Sequence, residues 1–363
     1  MICTFITSKQ YLPIRSLPEG HGGDRARTSP MSKELTRMPL SVLDLCPIVS
    51  GGSAADAFAR SLDLARLTES LGYRRFWVAE HHNMPGIASA ATSVVIGHLA
   101  QGTEKIRIGS GGIMLLNHSP LVIAEQFGTL QSLFPGRIDL GLGRAPGTDQ
   151  TTVRLLRQDP DLTGEEFPER LDELQSLLGT PAPGQRIRAV PGAGLSLPIW
   201  LLGSGGFSAQ LAGQLGLPFA SAGHFSPDNI LAGLELYRRG FRPSRTLTEP
   251  YAMVGINVFA AETDEEAIRL ATSHLQAHLS LARGAPIELP PPVGSFEEVF
   301  PGRLEDSSFL RGSIIGSQAT VRKGLHSLRE LTRADELMIH SMIFDHQARR
   351  RSYEIVMEAF DES

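Results

Sequence analysis

The chain has 363 residues, which is enough for one large α/β domain or two smaller ones. Its 34 Lys and Arg residues against 39 Asp and Glu residues give a net charge of −5 without a basic stripe, which argues against nucleic acid or an anionic membrane surface as the main partner. Two cysteines are too few for a disulfide framework, and neither a membrane-length apolar run nor a secretory signal is visible, so we expect a soluble protein of the reducing cytoplasm.

Residues 1–37 mix Gly, Pro, Ser and Arg without sustained periodicity, and we interpret them as an extension or loose tail, with Met31 as an alternative start. From residue 38 onward, short apolar or β-branched runs alternate with amphipathic stretches of helical period. The predicted strands are 40–46, 75–79, 106–110, 137–143, 198–202, 218–222, 253–260 and 336–341. The predicted helices are 53–71, 89–100, 120–134, 166–178, 207–215, 226–240, 263–281, 317–332 and 345–360.

This alternation decides the fold class. No Gly-x-Gly-x-x-Gly follows the first strand, which argues against a dinucleotide-binding open sheet. Eight strands in strict alternation with helices predict an α/β protein whose residues 38–363 form a closed (β/α)8 TIM barrel. Residues 283–313 are rich in Pro and Gly and have few periodic apolar positions, so we predict an insertion or lid between the seventh and eighth strands.

Polar and glycine residues gather at the predicted C-terminal ends of the strands, which is the face where barrel enzymes keep their active sites. Gly111 and Gly112 follow the third strand, and their lack of side chains permits a flat ligand, or even a rare non-prolyl cis peptide, at this point. A β-bulge without any ligand is an equally good interpretation. Ser119 and Pro120 then begin the next helix as N-cap and first helical residue.

A second glycine-rich turn, 203–208, leads from the fifth strand into a helix. Such a turn exposes backbone N–H groups at the positive end of the helix, which favours a phosphate, and Ser208 could add a hydroxyl donor. Arg144 leaves the neighbouring fourth strand and could bind the same phosphate with its guanidinium. The alternatives are a tight turn without a ligand and a surface ion pair.

The third polar group is Glu80-His81-His82, directly after the second strand. Adjacent residues of a strand point to opposite faces, so the two histidines are poorly placed to chelate one ion, and we predict no metal site. One imidazole at the barrel mouth could move protons near neutral pH, whereas a hydrogen-bonded structural histidine is the alternative. No Ser-His-Asp order, nucleophile elbow or Walker loop is present, so a bound cofactor would carry the demanding chemistry.

Taken together, these motifs resemble the bacterial-luciferase-like, flavin-dependent monooxygenases. The resemblance covers residues 38–363 in order and rests on the motifs LDLCPI, WVAEHHNMPG, IRIGSGG through GRAPGTD, PIWLLGSGG and RSYEIVMEAF. It implies a barrel that binds reduced FMN at the C-terminal face, activates dioxygen, receives its reduced flavin from a separate reductase, and forms a homodimer through the helices after the second and third strands.

The resemblance also implies roles for individual residues. His81 matches the catalytic histidine of luciferase, and Gly111 and Gly112 fall where the family has a non-prolyl cis peptide under the isoalloxazine ring. The residues that match the flavin phosphate site are Arg144, Ser204, Gly205 and Ser208.

One position departs from luciferase, which has a reactive cysteine where this chain has Gly143, so light emission from a long-chain aldehyde is not implied. We therefore predict an FMN-dependent monooxygenase that acts on a small organic substrate. The alternatives are a deazaflavin-dependent oxidoreductase of the same superfamily, a flavin-binding protein without catalysis, and a barrel whose site has degenerated.

Overall fold

The computed structural model describes residues 38–157, 164–300, 302 and 306–361, so the predicted tail 1–37 lies outside the described residues. Within them, the strands are β1 (Leu40–Asp44), β2 (Arg75–Val78), β3 (Arg107–Ser110), β4 (Ile113–Met114), β5 (Ile138–Gly143), β6 (Ile199–Gly203), β7 (Phe219–Ser221), β8 (Ala252–Ala260), β9 (Ser313–Gly316) and β10 (Glu336–His340). Eight of them, all except β4 and β9, pair in parallel around a closed ring in which β10 joins β8 to β1. The predicted (β/α)8 barrel is therefore confirmed.

Helices follow the barrel strands as predicted. The α-helices are α1 (Ala54–Ser70), α2 (Thr92–Gln101), α3 (Pro120–Leu133), α4 (Gln150–Leu156), α5 (Phe167–Leu178), α6 (Gly206–Leu215), α7 (Ile230–Gly240), α8 (Asp264–Ala282), α9 (Phe296–Val299), α10 (Ser308–Arg311), α11 (Gln318–Thr332) and α12 (His346–Asp361). Short 3-10 helices at Leu115–Asn117 and Pro227–Asn229 precede α3 and α7.

The caps explain where two helices begin. Ser53 accepts a hydrogen bond from the backbone N–H of Asp56, whose carboxylate accepts one from the backbone N–H of Ser53, and this capping box starts α1. Thr263 caps α8 by accepting from the N–H of Glu266. Ser119 stands at the N-cap position of α3 as predicted, but its side chain makes no capping hydrogen bond.

The sequence reading missed the shortest elements. β4 has two residues and pairs with β5, while β9 has four residues, begins at Ser313 and pairs with β8. α4, α9 and α10 have seven, four and four residues. Elements this short lack a measurable period, because tertiary contacts and not local pattern stabilise them.

Two apolar layers enclose the barrel wall. Side chains such as Val42, Phe76 and Ile108 point outward into the layer between sheet and helices, whereas the alternate residues point into the barrel. The interior is filled by aromatic rings: Trp77 and Trp200 lie 5.2 Å apart, edge to face. These rings pack the barrel below its mouth.

Candidate active site

His81 lies in the loop that leaves β2, at the C-terminal mouth of the barrel. Its Nδ1 lies 3.2 Å from the carbonyl oxygen of Gly147, in the loop after β5. Since a carbonyl can only accept, Nδ1 carries the proton and Nε2 presents its lone pair. Burial lowers the pKa of His81, so the ring is neutral at pH 7 and its Nε2 is able to take up a proton.

Glu80 anchors the surrounding loops. Its Oε1 accepts hydrogen bonds from Nε2 of His82 at 2.7 Å and of His118 at 2.8 Å, and its Oε2 accepts one from the N–H of Met114 at 2.9 Å. Burial would raise the pKa of this carboxyl, but the hydrogen bonds from His118 and His82 outweigh it and the pKa is lowered. Glu80 is therefore a carboxylate that holds the loops after β2 and β3 together.

The same three side chains bring potential metal ligands together. One donor atom from each of Glu80, His82 and His118 lies within 4.8 Å of the others. His118 comes from a different loop, 38 positions after Glu80, so the spacing of the adjacent pair His81 and His82 gives no sign of this group. In the structure these donors already satisfy one another through hydrogen bonds.

Gly111 and Gly112 are joined by a non-prolyl cis peptide, as the family resemblance implied. A side chain on either residue would collide with the barrel wall. A Cβ atom on Gly112 would lie 2.8 Å from the carbonyl oxygen of Gly141, and one on Gly111 would lie 2.7 Å from Cδ1 of Leu43. The strand end therefore presents bare backbone at the mouth of the barrel.

Arg144 and the glycine-rich turn meet, as predicted from their strand ends. β5 pairs with β6, and the guanidinium carbon of Arg144 lies 4.4 Å from the ring centroid of Phe207 in the first turn of α6. Gly205 is the N-cap of α6 and no side chain caps this helix, so its first N–H groups face outward. Ser204 and Gly205 are exposed, and Ser208 is buried beneath them.

A cavity that opens to solvent adjoins His81, and its empty space, including solvent at the opening, is about 680 Å³. Apolar residues from several loops line it, among them Leu45, Ile87 and Met342, and the insertion contributes Pro286 and Ile287. The cavity also holds four histidines that the sequence analysis did not select: His224, His274, His278 and His340.

A family model described as luciferase-like monooxygenase matches residues 38–335. The chain belongs to this family. Among its relatives, the uncharacterized protein YvbT of Bacillus subtilis is 54% identical, over 88% of this chain and 96% of its own. A luciferase-like monooxygenase of Escherichia coli is 52% identical, over 89% and 97%. The N-acetyl-S-alkylcysteine monooxygenase of Bacillus subtilis is 33% identical, over 88% and 97%.

Several solved structures share the fold of this chain. Apo-MsnO8 has a TM-score of 0.83 at 37% identity and covers 90% of this chain and 99% of its own. The oxygenating constituent of 3,6-diketocamphane monooxygenase from Pseudomonas putida, solved with FMN, has a TM-score of 0.66 at 18% identity, covering 90% and 99%. An F420-dependent secondary alcohol dehydrogenase reaches 0.60 at 15% identity with the same coverage. At these lower identities the likeness shows the fold alone.

None of the helices in the described part of this luciferase-like chain combines the length and the apolar character needed to cross a membrane.

Gly147 is in close contact with the backbone of Glu80, and its replacement by Ala tests this contact. Gly147 has φ +67°, and an added Cβ would lie 2.8 Å from the carbonyl oxygen of Glu80. We expect Gly147→Ala to lower the free energy of unfolding by more than about 2 kcal/mol, because the left-handed backbone and the collision both oppose it. Gly51→Ala is the matched control: Gly51 has φ +79° but open space around it, so only about 1 kcal/mol is lost. Urea denaturation of both variants gives the comparison, and equal losses would contradict the proposed contact.

Acidification should destabilise the protein through the buried histidines. Burial lowers the pKa of His224 to about 4 and of His274 to about 3. At pH values between these folded-state pKa values and the ordinary histidine pKa of about 6.5, the unfolded chain binds more protons than the folded chain. The contribution of the two histidines to the free energy of unfolding is therefore fully present above pH 6.5 and declines below it. At pH 5.5 we expect each histidine to remove about 1 kcal/mol relative to pH 7.5. In urea denaturation, His274→Gln should shrink this pH effect by that amount, whereas His326→Gln, on the exposed face of α11, should not.

Proposed function

We propose that this protein is an FMN-dependent monooxygenase that uses reduced flavin and dioxygen to oxidise a small organic substrate. One observation carries the proposal: the loop after β5 packs Arg144 against the uncapped start of α6 and also contacts His81, which lines the cavity. The loop that begins with Arg144 also supplies the carbonyl of Gly147 that orients His81. A phosphate site and a base are thus built from one continuous loop.

The residues present fit FMN. A phosphate monoester needs N–H donors and positive charge, and α6 offers uncapped N–H groups with the Arg144 guanidinium at their side. Ser204, Gly205 and Ser208 belong to the same turn and would complete the phosphate site. Gly111 and Gly112, whose backbone a side chain could not share with the barrel wall, would lie beneath the planar ring system.

Deazaflavin is the second cofactor to consider, because a neighbour of the same fold uses F420. That cofactor carries a longer acidic tail and requires more cations than one phosphate does. Arg144 is the cation that packs on the first turn of α6 in the described residues, and this supports FMN over the deazaflavin.

The chain's own groups would do the following work. Bound reduced FMN would supply the electrons that activate dioxygen. His81 would accept a proton at Nε2 from the substrate or donate a hydrogen bond once protonated, while Gly147 holds the ring through Nδ1–H. The apolar cavity walls exclude water from the reacting groups.

We also propose a homodimer that obtains reduced FMN from a separate flavin reductase in the cytoplasm. The helices after the second and third barrel strands, α2 and α3, expose large apolar side chains: Val94 is 71% and Leu133 is 64% exposed. Such side chains favour association when they form a shared patch. Sedimentation equilibrium tests the dimer, and a monomer at micromolar concentration would contradict it.

Cofactor choice is tested by anaerobic fluorescence titration with reduced FMN and with reduced F420. We expect FMN to bind at least tenfold more tightly, and Arg144→Met to weaken FMN about tenfold through loss of one charge-assisted contact. Arg239→Met is the matched control, since Arg239 is an exposed arginine of α7 paired with Glu235. Tighter binding of F420, or an equal loss in both variants, would overturn the assignment.

A further inference from the structure

The cavity beside His81 has an unusual polar lining. His224 follows β7, His274 and His278 lie on α8, and His340 ends β10, so these imidazoles converge from different elements. His81 and Asn257, on β8, are the other polar side chains among the described residues that line the cavity. No Lys, Arg, Asp or Glu lines this cavity in the part of the chain that the structure describes. Whatever enters the cavity is therefore met by apolar groups and by imidazoles.

The hydrogen bonds of Asn257 determine the tautomer of His340. The side-chain N–H of Asn257 donates to the carbonyl oxygen of His224 at 3.2 Å, so its Oδ1 faces the other way and lies 2.9 Å from Nδ1 of His340. An amide oxygen can only accept, so Nδ1 of His340 carries the proton. Nε2 of His340 is then a bare acceptor, and it has no partner although the residue is only 3% exposed.

Two more imidazoles surround this acceptor. The ring centroids of His224 and His274 lie 5.4 and 5.1 Å from that of His340, and each ring has an unpartnered Nδ1. The backbone makes room for this cluster: a Cβ on Gly255 would lie 2.8 Å from Nδ1 of His224. Buried polar atoms normally have hydrogen-bond partners, so one unpartnered ring nitrogen on each of three histidines that line the same cavity indicates a ligand.

The cluster is uncharged. Burial lowers the pKa values of His224, His274 and His340, so all three are neutral at pH 7. Arg349, whose charge helps to lower the pKa of His340, is itself bound to Asp44 at 2.6 Å. An anionic ligand would therefore find no counter-charge unless an imidazole took up a proton against its burial.

We propose that His224, His274 and His340 hold the polar head of the substrate, and that this substrate is an uncharged, mostly apolar molecule whose head group carries an N–H or O–H donor for Nε2 of His340. That the ligand is a substrate rests on the proposed function. The binding of such a ligand by these three histidines does not depend on that function. Primary amides and alcohols with a short hydrocarbon body have this chemistry.

Three isosteric probes test the head-group assignment on flavin-free protein. Hexanamide offers donor and acceptor, heptan-2-one replaces the amide nitrogen with a methyl group, and hexanoate replaces it with a charged oxygen. Binding is followed at pH 7.5 by NMR of the protein labelled with ¹³C in its histidine rings. We expect hexanamide to bind at least about fivefold more tightly than heptan-2-one and about tenfold more tightly than hexanoate, since an unmet buried acceptor discriminates against analogues that lack the donor. The resonances of His340 and its two neighbours should shift.

Variants then locate the site. His340→Phe and His274→Phe keep a ring but remove the nitrogens, and each should reduce the preference for hexanamide over heptan-2-one to less than about twofold. His326→Phe, on the surface of α11, is the matched control and should leave the preference unchanged. If His340→Phe or His274→Phe does not fold, the affinities of the wild-type protein for the three probes test the head-group assignment without them.

Equal binding of hexanamide and heptan-2-one would overturn the donor assignment. Preferred binding of hexanoate with proton uptake would overturn the uncharged class and indicate an imidazolium site instead. These results are independent of flavin, so failure here with intact FMN binding would leave the proposed function standing, whereas failure of FMN binding alone would leave the cavity assignment standing.

Discussion

Replacing His81 by Asn is expected to lower substrate-dependent turnover about 100- to 10,000-fold while FMN affinity changes less than about threefold. The Asn side chain can still donate from its amide to the carbonyl of Gly147, which Nδ1 of His81 contacts at 3.2 Å. It lacks the lone pair that Nε2 presents. The substitution therefore removes the proposed base and keeps the loop contact, and steady-state kinetics with flavin titration separate the two effects.

The pH profile adds a second readout. Burial lowers the pKa of His81, so wild-type turnover should fall on acidification as the ring becomes protonated, and His81→Asn should lose this acidic limb. His326→Asn, an exposed histidine, is the matched control and should behave as wild type. Unchanged turnover in His81→Asn would refute a catalytic role, and a parallel loss of FMN affinity would indicate a structural one.

Replacing Arg75 by Met is expected to lower the free energy of unfolding by about 3–5 kcal/mol. Arg75 is 5% exposed and bridges two buried carboxylates, Asp139 at 2.7 Å and Glu336 at 3.0 Å. Asp139 keeps Arg107 at 2.6 Å and Glu336 keeps the hydroxyl of Tyr251 at 2.8 Å. These remaining contacts do not replace the guanidinium that both carboxylates share. Without Arg75, the two buried carboxylates lack enough positive charge beside them.

Two comparisons make the Arg75 result specific. Arg75→Lys should lose less, because a single ammonium can reach one carboxylate but not donate to both as the guanidinium fork does. Arg170→Met, which breaks an exposed pair with Glu173, should change stability by less than about 0.5 kcal/mol. Urea denaturation measures all three, and a loss below about 1 kcal/mol in Arg75→Met would contradict the importance of this network.

The barrel could be predicted from sequence because its strands and helices are long enough to show their periods and caps. Helix 53–71 and the Gly-rich turn before α6 carry local signals of this kind, and the structure places both as expected. His81 and Arg144 stood out for the same reason, since each directly follows a recognisable strand.

Contacts between distant residues were not visible in the sequence. Arg75 and Glu336 are separated by 261 positions, and Glu80 and His118 by 38, so only the closed barrel brings them together. The histidine cluster was missed for the same reason. His224, His274 and His340 each have ordinary neighbours in the chain, and a lone histidine is normally a structural residue. His224 and His340 could have been found by looking for histidines at the ends of the predicted strands. His274 lies in the middle of a helix and has no such signal.

Stopped-flow mixing of the anaerobic complex between this protein and reduced FMN with air-saturated buffer tests the monooxygenase proposal most directly. Absorbance at the oxidised-flavin band reports how quickly dioxygen consumes the bound cofactor. We predict tight binding of reduced FMN and a return of oxidised flavin at least about tenfold slower than for free reduced FMN, because the apolar cavity walls would shield the reacting groups from water. Reoxidation at the rate of free flavin, or no binding of reduced FMN, would contradict the proposal.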